Sequence, residues 1–207
     1  MRLAKFPVFL LALSLTPAWG AEPTAPGVPN FHQVNDRIFR GGQPADGGWK
    51  SLADLGIKLV VDLRPPSEHP TGREEQAVQA AGMRYVNMPM KGLRAPSDQE
   101  IAQALAILES SSQTPIFVHC RRGSDRTGTV IACYRIAHDH WPNGKALQEA
   151  LSHGMSRIER GMQHYVLNFK TGRISGAAST QPSAAPDLTA QPSTAQPSAT
   201  HQSIAQP

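Results

Sequence analysis

Two cysteines in 207 residues, Cys120 and Cys133, are too few for a disulfide-stapled miniature fold or for any four-cysteine zinc module. Aromatic residues make up 6% of the chain and charged residues 17%, against 40% apolar content, enough to build one ordinary globular domain. The net charge of +4 at pH 7 is small. Most nucleic-acid-binding domains concentrate far more positive charge, so no nucleic-acid partner is expected. Long hydrophobic runs are also missing: the largely apolar stretch from Phe6 to Leu15 is half the roughly twenty residues that a membrane-spanning helix needs.

That short stretch has another meaning. Arg2 and Lys5 precede it and the small residues Ala18 and Gly20 follow, so residues 1–20 read as a secretory signal peptide cut between Gly20 and Ala21. The expected location is periplasmic or secreted, with no stable membrane insertion after cleavage. Loss of Arg2 and Lys5 takes the net charge from +4 to +2. At the other end, residues 175–207 are dominated by Ser, Thr, Ala, Gln and Pro, with Asp187 the single charged residue and Gln-Pro recurring at Gln181, Gln191, Gln196 and Gln206. Such a segment buries too little to offset the entropy of ordering and reads as a disordered tail. Folding is assigned to residues 28–174.

Within that core the hydrophobic period switches repeatedly. Phe31 to Arg40 reads as an extended or hairpin segment closed by Gly41-Gly42-Gln43-Pro44, followed by a short helix over 46–55 stopped by Gly56. Ile57 to Leu63 is rich in branched residues and short, hence a strand. A helix over 74–81 ended by Gly82 leads to a strand over 83–88. Ser97 and Glu100 have capping-box spacing before the apolar face Ile101, Ala104, Leu105 and Leu108. Pro115 to His119 is a further strand. Helices are expected over 127–141 and 145–153, and a third with the inner stripe Ile158, Met162, Tyr165, Val166 and Phe169. Strands alternating with helices predict an α/β domain with a central, mostly parallel sheet covered on both faces. Ligands of such sheets bind beyond the carboxyl ends of the strands.

The segment in that place is His119-Cys120-Arg121-Arg122-Gly123-Ser124-Asp125-Arg126-Thr127-Gly128. A cysteine ending a strand, five residues, then arginine at a helix start make a turn whose backbone N–H groups converge. The helix N-terminus adds partial positive charge, and a guanidinium binds two oxygens at once. This is an oxyanion cradle with sulfur at its floor. The same field favours thiolate over thiol; activated cysteines titrate at roughly 3.5–7.5 rather than about 8.5. Arg121, Arg122, Gly123, Ser124, Asp125 and Arg126 are the phosphate-binding candidates. His119 and Cys120 as metal ligands are disfavoured by the arginines beside them, so neither metal nor cofactor is expected.

Cys120-x5-Arg126-Thr127, with His119 before it and Gly123 inside it, resembles the signature of the cysteine-dependent protein tyrosine phosphatases, closest to the compact dual-specificity branch in its bacterial, exported form. Phe39-Arg40-Gly41-Gly42-Gln43-Pro44 and Val61-Asp62-Leu63-Arg64 are similar to segments of small bacterial and plant-and-fungal-type members. The resemblance implies that Cys120 attacks phosphorus to give a phosphocysteine, that Arg126 holds the equatorial oxygens, and that Thr127 assists the thiolate and hydrolysis of the intermediate. It implies that His119 orients the loop through backbone hydrogen bonds. The general acid departs from the pattern: the region Asn87 to Gly92, where an aspartate is usual, has no carboxylate. Asp125, in an Asp-Arg-Thr ending similar to that of myotubularin-type lipid phosphatases, and Asp98 are the replacements. Asp125 is favoured, its alternative role being a salt bridge to Arg121 or Arg122; Asp98 lies in a helical first turn, where the dipole alone favours acids.

The expected substrate is a phosphorylated protein or small phosphoester, with phosphoinositides or inositol phosphates as the alternative and a phosphate-binding pseudophosphatase as the non-catalytic one. Arsenate reduction needs a resolving thiol, and sulfur transfer fits poorly with Arg126-Thr127-Gly128. Cys133 lies about ten ångströms along the helix at about 1.5 Å per residue, beyond the roughly 7 Å between bridged Cα atoms. It reads as a buried small apolar residue.

Overall fold

The computed structural model describes residues 22–68, 72–109 and 114–178, with the backbone alone over 175–178. Five strands form one sheet: β1 (His32–Gln33), β2 (Ile38–Gly42), β3 (Leu59–Asp62), β4 (Arg84–Asn87) and β5 (Ile116–Cys120). Their order is β1-β2-β5-β3-β4, and every pairing is parallel except the β1–β2 hairpin. β5 is central, its Cys120 opposite Gly42 of β2 and its His119 opposite Asp62 of β3.

Alternation along these strands sorts side chains to two faces. Ile38, Leu59, Val61, Ile116 and Val118 meet α3 (Asp98–Glu109) and α4 (Asp125–Ala137) through Ile101, Leu105, Val130 and Ile131. Phe39, Val60 and Phe117 meet α1 (Gly48–Asp54) and α2 (Arg73–Ala80) through Trp49, Leu52 and Val78. A smaller cluster of Ala132, Ala146, Ala150, Met155 and Val166 joins α4 to α5 (Asn143–Ser152) and α6 (Arg160–Leu167). The fold is thus α/β, a single domain with a central sheet flanked by helices.

Local signals in the sequence are realised at their positions. The Ser97 Oγ accepts from the Glu100 N–H at 3.2 Å, while the Glu100 carboxylate accepts from the Ser97 N–H at 2.6 Å. Gly56 and Gly82 sit at φ +81° and +80°, where a side chain would be strained.

Three expectations are corrected. α4 spans Asp125–Ala137 rather than 127–141: the turn closes straight into the helix through Gly128 N–H to Ser124 C=O at 2.7 Å, and His140 at φ +57° ahead of Pro142 turns the chain away. Ile158 is 88% exposed rather than inward, because α6 begins only at Arg160 and the helical period does not reach it. A final helix, α7 (Thr171–Ala178), runs past the boundary expected at 174. Residues 1–20, read as a signal peptide, and the tail beyond 178 lie outside the described residues. Among the described residues no helix is long and apolar enough to cross a membrane.

Candidate active site

The loop after β5 is shaped by what lies behind it. Gly123 has φ +72°, and a Cβ there would collide with the backbone of Gly41 and Gly42; a Cβ on Gly42 would stand 3.0 Å from the Arg122 carbonyl carbon. Gly41-Gly42 is therefore a bare-backbone support for the loop. Asn30 Nδ2 donates to Gly123 C=O at 3.1 Å and to His153 C=O at 2.9 Å, Arg40 Nη2 donates to Gly123 C=O at 2.8 Å, and Gln43 N–H reaches Arg121 C=O at 3.2 Å. With loop carbonyls bonded backwards, successive N–H groups are left for the front.

In front lies an open cavity of about 720 Å³ with Cys120 in its wall. Arg126 enters it from the first turn of α4. Its Nη1 and Nη2 donate to the two carboxylate oxygens of Glu68 at 2.9 and 2.8 Å, and Nη1 also reaches Met90 C=O at 3.3 Å. Glu68 ends a short 3-10 turn, Pro66–Glu68, beyond β3. A fork holding two carboxylate oxygens is geometrically ready to hold two phosphoryl oxygens.

Asp125 also lines the cavity, but both of its oxygens are occupied: Oδ2 by Arg122 Nη2 at 2.5 Å and Oδ1 by the Ser156 N–H at 2.7 Å. The salt bridge foreseen as its alternative role is present. Delivery of a proton from Asp125 requires the Arg122 contact to open. Arg121 and Arg122 are exposed in the wall, whereas Gly123 and Ser124 are buried and contribute backbone behind it.

Asp98 is elsewhere. It accepts from Tyr165 Oη at 2.7 Å and Arg173 Nε at 3.0 Å, tying α3 to α6 and α7, and is absent from the cavity wall. As an acid candidate it therefore stands outside the cavity wall, held by Tyr165 and Arg173. Thr127 is fully buried, and its Oγ1 has no hydrogen-bond partner among the described residues. Cys133 is a free, fully buried cysteine whose thiol is pushed up by burial and by Asp98; it behaves as the small apolar residue expected.

The expectation for His119 is also corrected. Its side chain points to the opposite sheet face from Cys120, stacks on Phe117 at 5.4 Å and lies 2.9 Å from Glu74 Oε1 and 4.0 Å from Asp62 Oδ1. Strand alternation makes this unavoidable: neighbours on a strand face opposite ways. Asp62, Glu74 and His119 are close enough to share a cation, and Arg64 already provides one: it ion-pairs with both Asp62 Oδ2, at 2.8 Å, and Glu74. Burial alone would raise the Asp62 carboxyl, but the Arg64 hydrogen bonds and the His119 charge hold it below its ordinary value.

Glu68 and Glu159 were not foreseen. Both line the cavity, and Glu159 has no side-chain partner among the described residues. Each stands on an irregular segment with no periodic signal and reaches the site by tertiary placement. Leu93 lies in the wall as well, 87% exposed at φ +62°.

A cysteine-bearing strand end, a forked arginine on the following helix and this sheet order are those of a cysteine-based phosphatase of the protein-tyrosine-phosphatase type. A family model described as DSP-PTPase phosphatase fused to NAD+ kinase matches residues 23–165, and the chain belongs to that family. It is 31% identical over 116 residues to inositol diphosphatase DSP2 of Oryza sativa subsp. japonica, covering 51% of this chain and 53% of the rice protein, so the match spans about half that relative's length. It is 27% identical over 144 residues to the dual specificity protein phosphatase TpbA of Pseudomonas aeruginosa, covering 69% and 62% of the two chains. The crystal structure of P. aeruginosa TpbA superposes with a TM-score of 0.64 at 25% identity over 79% of this chain and 98% of that one. The core catalytic domain of the S. cerevisiae PP-IP phosphatase SIW14 shares the fold, with a TM-score of 0.64 at 22% identity over 75% and 94%.

Proposed function

We propose that the chain hydrolyses phosphomonoesters, as a protein tyrosine or dual-specificity phosphatase, through a phosphocysteine on Cys120 and without a metal. The observation that carries this reading is that Cys120 and the Arg126 fork open into the same cavity. The sulfur of Cys120 forms the S–P bond as the P–O bond to the leaving group breaks. Arg126 exchanges the Glu68 carboxylate for equatorial phosphoryl oxygens, and loop N–H groups take the rest of the charge. Asp125, the candidate carboxyl on the loop itself, gives the leaving oxygen its proton; water then attacks phosphorus, the S–P bond breaks and phosphate leaves. Thr127 serves the departing sulfur after a side-chain rotation.

Charge in the cavity wall favours a singly phosphorylated substrate. Arg121, Arg122 and Arg126 stand against Glu68, Asp125 and Glu159, so formal charges cancel, and Leu93 and Met162 add apolar surface suited to an aryl group. The second reading, an inositol phosphate or phosphoinositide substrate, is supported by the name of the rice relative. Residues 1–20 are proposed to direct export.

The test is hydrolysis of an aryl phosphate in the presence of chelator, blocked by vanadate and lost in Cys120→Ser; turnover by that variant removes the mechanism. Micromolar binding of phosphate ligands without turnover supports the pseudophosphatase instead. Phosphopeptides and inositol phosphates compared on the same preparation decide the substrate class.

A further inference from the structure

Arg40 stands in the core with 1% exposure, among the largest fully buried side chains of the described molecule. It faces Val118 across the β2–β5 ladder, two residues before the Gly42–Cys120 pair, so alternation puts Arg40 and Cys120 on the same sheet face. Its Nη2 donates to Gly123 C=O at 2.8 Å and lies beside the first turn of α4, 3.7 Å from where a Cβ on Gly128 would be. Nε and Nη1 are buried and have no hydrogen-bond partner among the described residues.

The charges around it do not neutralise it. Glu149 of α5 is the nearest carboxylate in effect, yet its oxygens are held by Arg135 of α4 at 2.8 Å. His32 of β1 and His153 after α5 are both lowered, first by burial and then by Arg40. Burial lowers Arg40 itself to about 10, which leaves it a cation at neutral pH. A buried charge without its own counter-ion is costly and is retained only where something compensates it.

We propose that Arg40 is a positioning residue for the chemistry at Cys120. Its guanidinium, buried behind the loop without a carboxylate of its own, pins the Gly123 carbonyl and supplies the positive field that favours an anion in the cradle. A trans peptide points C=O and the next N–H in opposite directions, so a Gly123 carbonyl bonded backwards aims the Ser124 N–H forwards. The field acts on the phosphoryl group bound in front of the loop. The other charges facing Cys120 are Arg121, Arg122, Asp125 and Arg126 on the loop, Glu68 beyond β3 and Glu159 before α6. Arg40 is the one set behind the wall, out of contact with substrate. This inference rests on Cys120 being the nucleophile.

The test compares Arg40→Lys, Arg40→Gln and Arg40→Met with the parent chain. The acid limb of kcat/KM for an aryl phosphate, and of Cys120 alkylation by iodoacetamide, moves up by about one pH unit in the Gln and Met variants. That is about tenfold lost reactivity below the limb. Arg40→Lys, which keeps the charge, holds the limb in place. Tungstate binding, which needs no turnover, weakens about tenfold in the neutral variants, and the His153 titration followed by NMR returns from about 4 towards its ordinary range. Loss that is uniform with pH, or unchanged tungstate binding, overturns the proposal. Should neither neutral variant fold, the unmutated protein decides: tungstate shifts the Arg40 Nε resonance, and no shift overturns it. An inactive parent chain that binds tungstate in an Arg40-dependent way defeats the phosphatase reading and leaves Arg40 as a determinant of anion binding alone.

Discussion

Two buried arginines flank the central strand, on opposite faces of the sheet, and they are treated in opposite ways. Arg64, 5% exposed, is pushed downward by burial but carried above its ordinary value by Asp62 and Glu74, which accept its hydrogen bonds. Tyr85 completes that group by donating to Asp62 at 3.0 Å. Arg40 has burial without the carboxylates. The first arrangement is closed, the Arg64 guanidinium being paired to two carboxylates inside the protein. The second is open, with positive charge left over on the face where Cys120 and its loop lie. Folding explains the Arg64 group; the Arg40 group makes sense when an anion enters the cradle.

The largest effect is expected from breaking the closed group. Asp62→Leu leaves buried Arg64 with Glu74 alone and the half-buried Tyr85 hydroxyl without its acceptor, and loss of one partner of a buried pair costs about 3–5 kcal/mol. Urea unfolding followed by circular dichroism should show this, while the pH dependence of any hydrolysis by the folded fraction keeps its shape. Arg40→Met is the opposite case. Gly123 C=O keeps its bond from Asn30, and an unanswered buried charge disappears, so stability should change by no more than about 1 kcal/mol in either direction. A loss comparable to that of Asp62→Leu would erase the distinction between the two groups.

The same contrast accounts for what was legible in the sequence. Cys120, Arg126 and the Gly123 turn are contiguous, so spacing alone defined the cradle, and short branched runs placed β3, β4 and β5, while β2 was covered only by an extended or hairpin segment over Phe31 to Arg40. Glu68 and Glu159 stand on irregular segments brought to the cavity by tertiary packing, which no local pattern encodes. His119 was readable in principle: strand alternation sends it away from Cys120, towards Asp62 and Glu74. Ile158 failed because a helical stripe was extended past the helix start. Arg40 was visible as part of a run similar to family segments, but its lack of a counter-ion is a property of three dimensions.

A smaller effect probes the open side through pH. His153 is lowered to about 4 by burial first, then by Arg40 and His32. An ordinary histidine titrates at about 6.5, so between these values the unfolded chain binds a proton that the folded chain does not. Stability therefore rises with pH through this window, is complete above it, and declines as pH falls from about 6.5 towards 4. His153→Gln should flatten that part of the stability–pH curve, and Arg40→Met should flatten it in part by relieving the repulsion. An unchanged slope in both variants removes the field of Arg40 from this side of the molecule.

The smallest change is expected at Asp98, the acidic residue that belongs to neither group. Its partner Arg173 has a side chain 47% exposed, and such an ion pair contributes about 0–1 kcal/mol after screening. Asp98→Asn keeps an acceptor for the Tyr165 hydroxyl, so the melting temperature should fall by a few degrees at most. Because Asp98 ties α3 to α6 and α7 and is absent from the cavity wall, its variant should hydrolyse substrates of good and poor leaving groups at the parent rate. Asp125→Asn should lose most on the poor ones, where protonation matters. If Asp125→Asn and Glu159→Gln are compared in the same series, the steeper dependence on leaving-group basicity marks the proton donor; a steep dependence in Asp98→Asn would place this aspartate back in the chemistry and contradict the geometry described above.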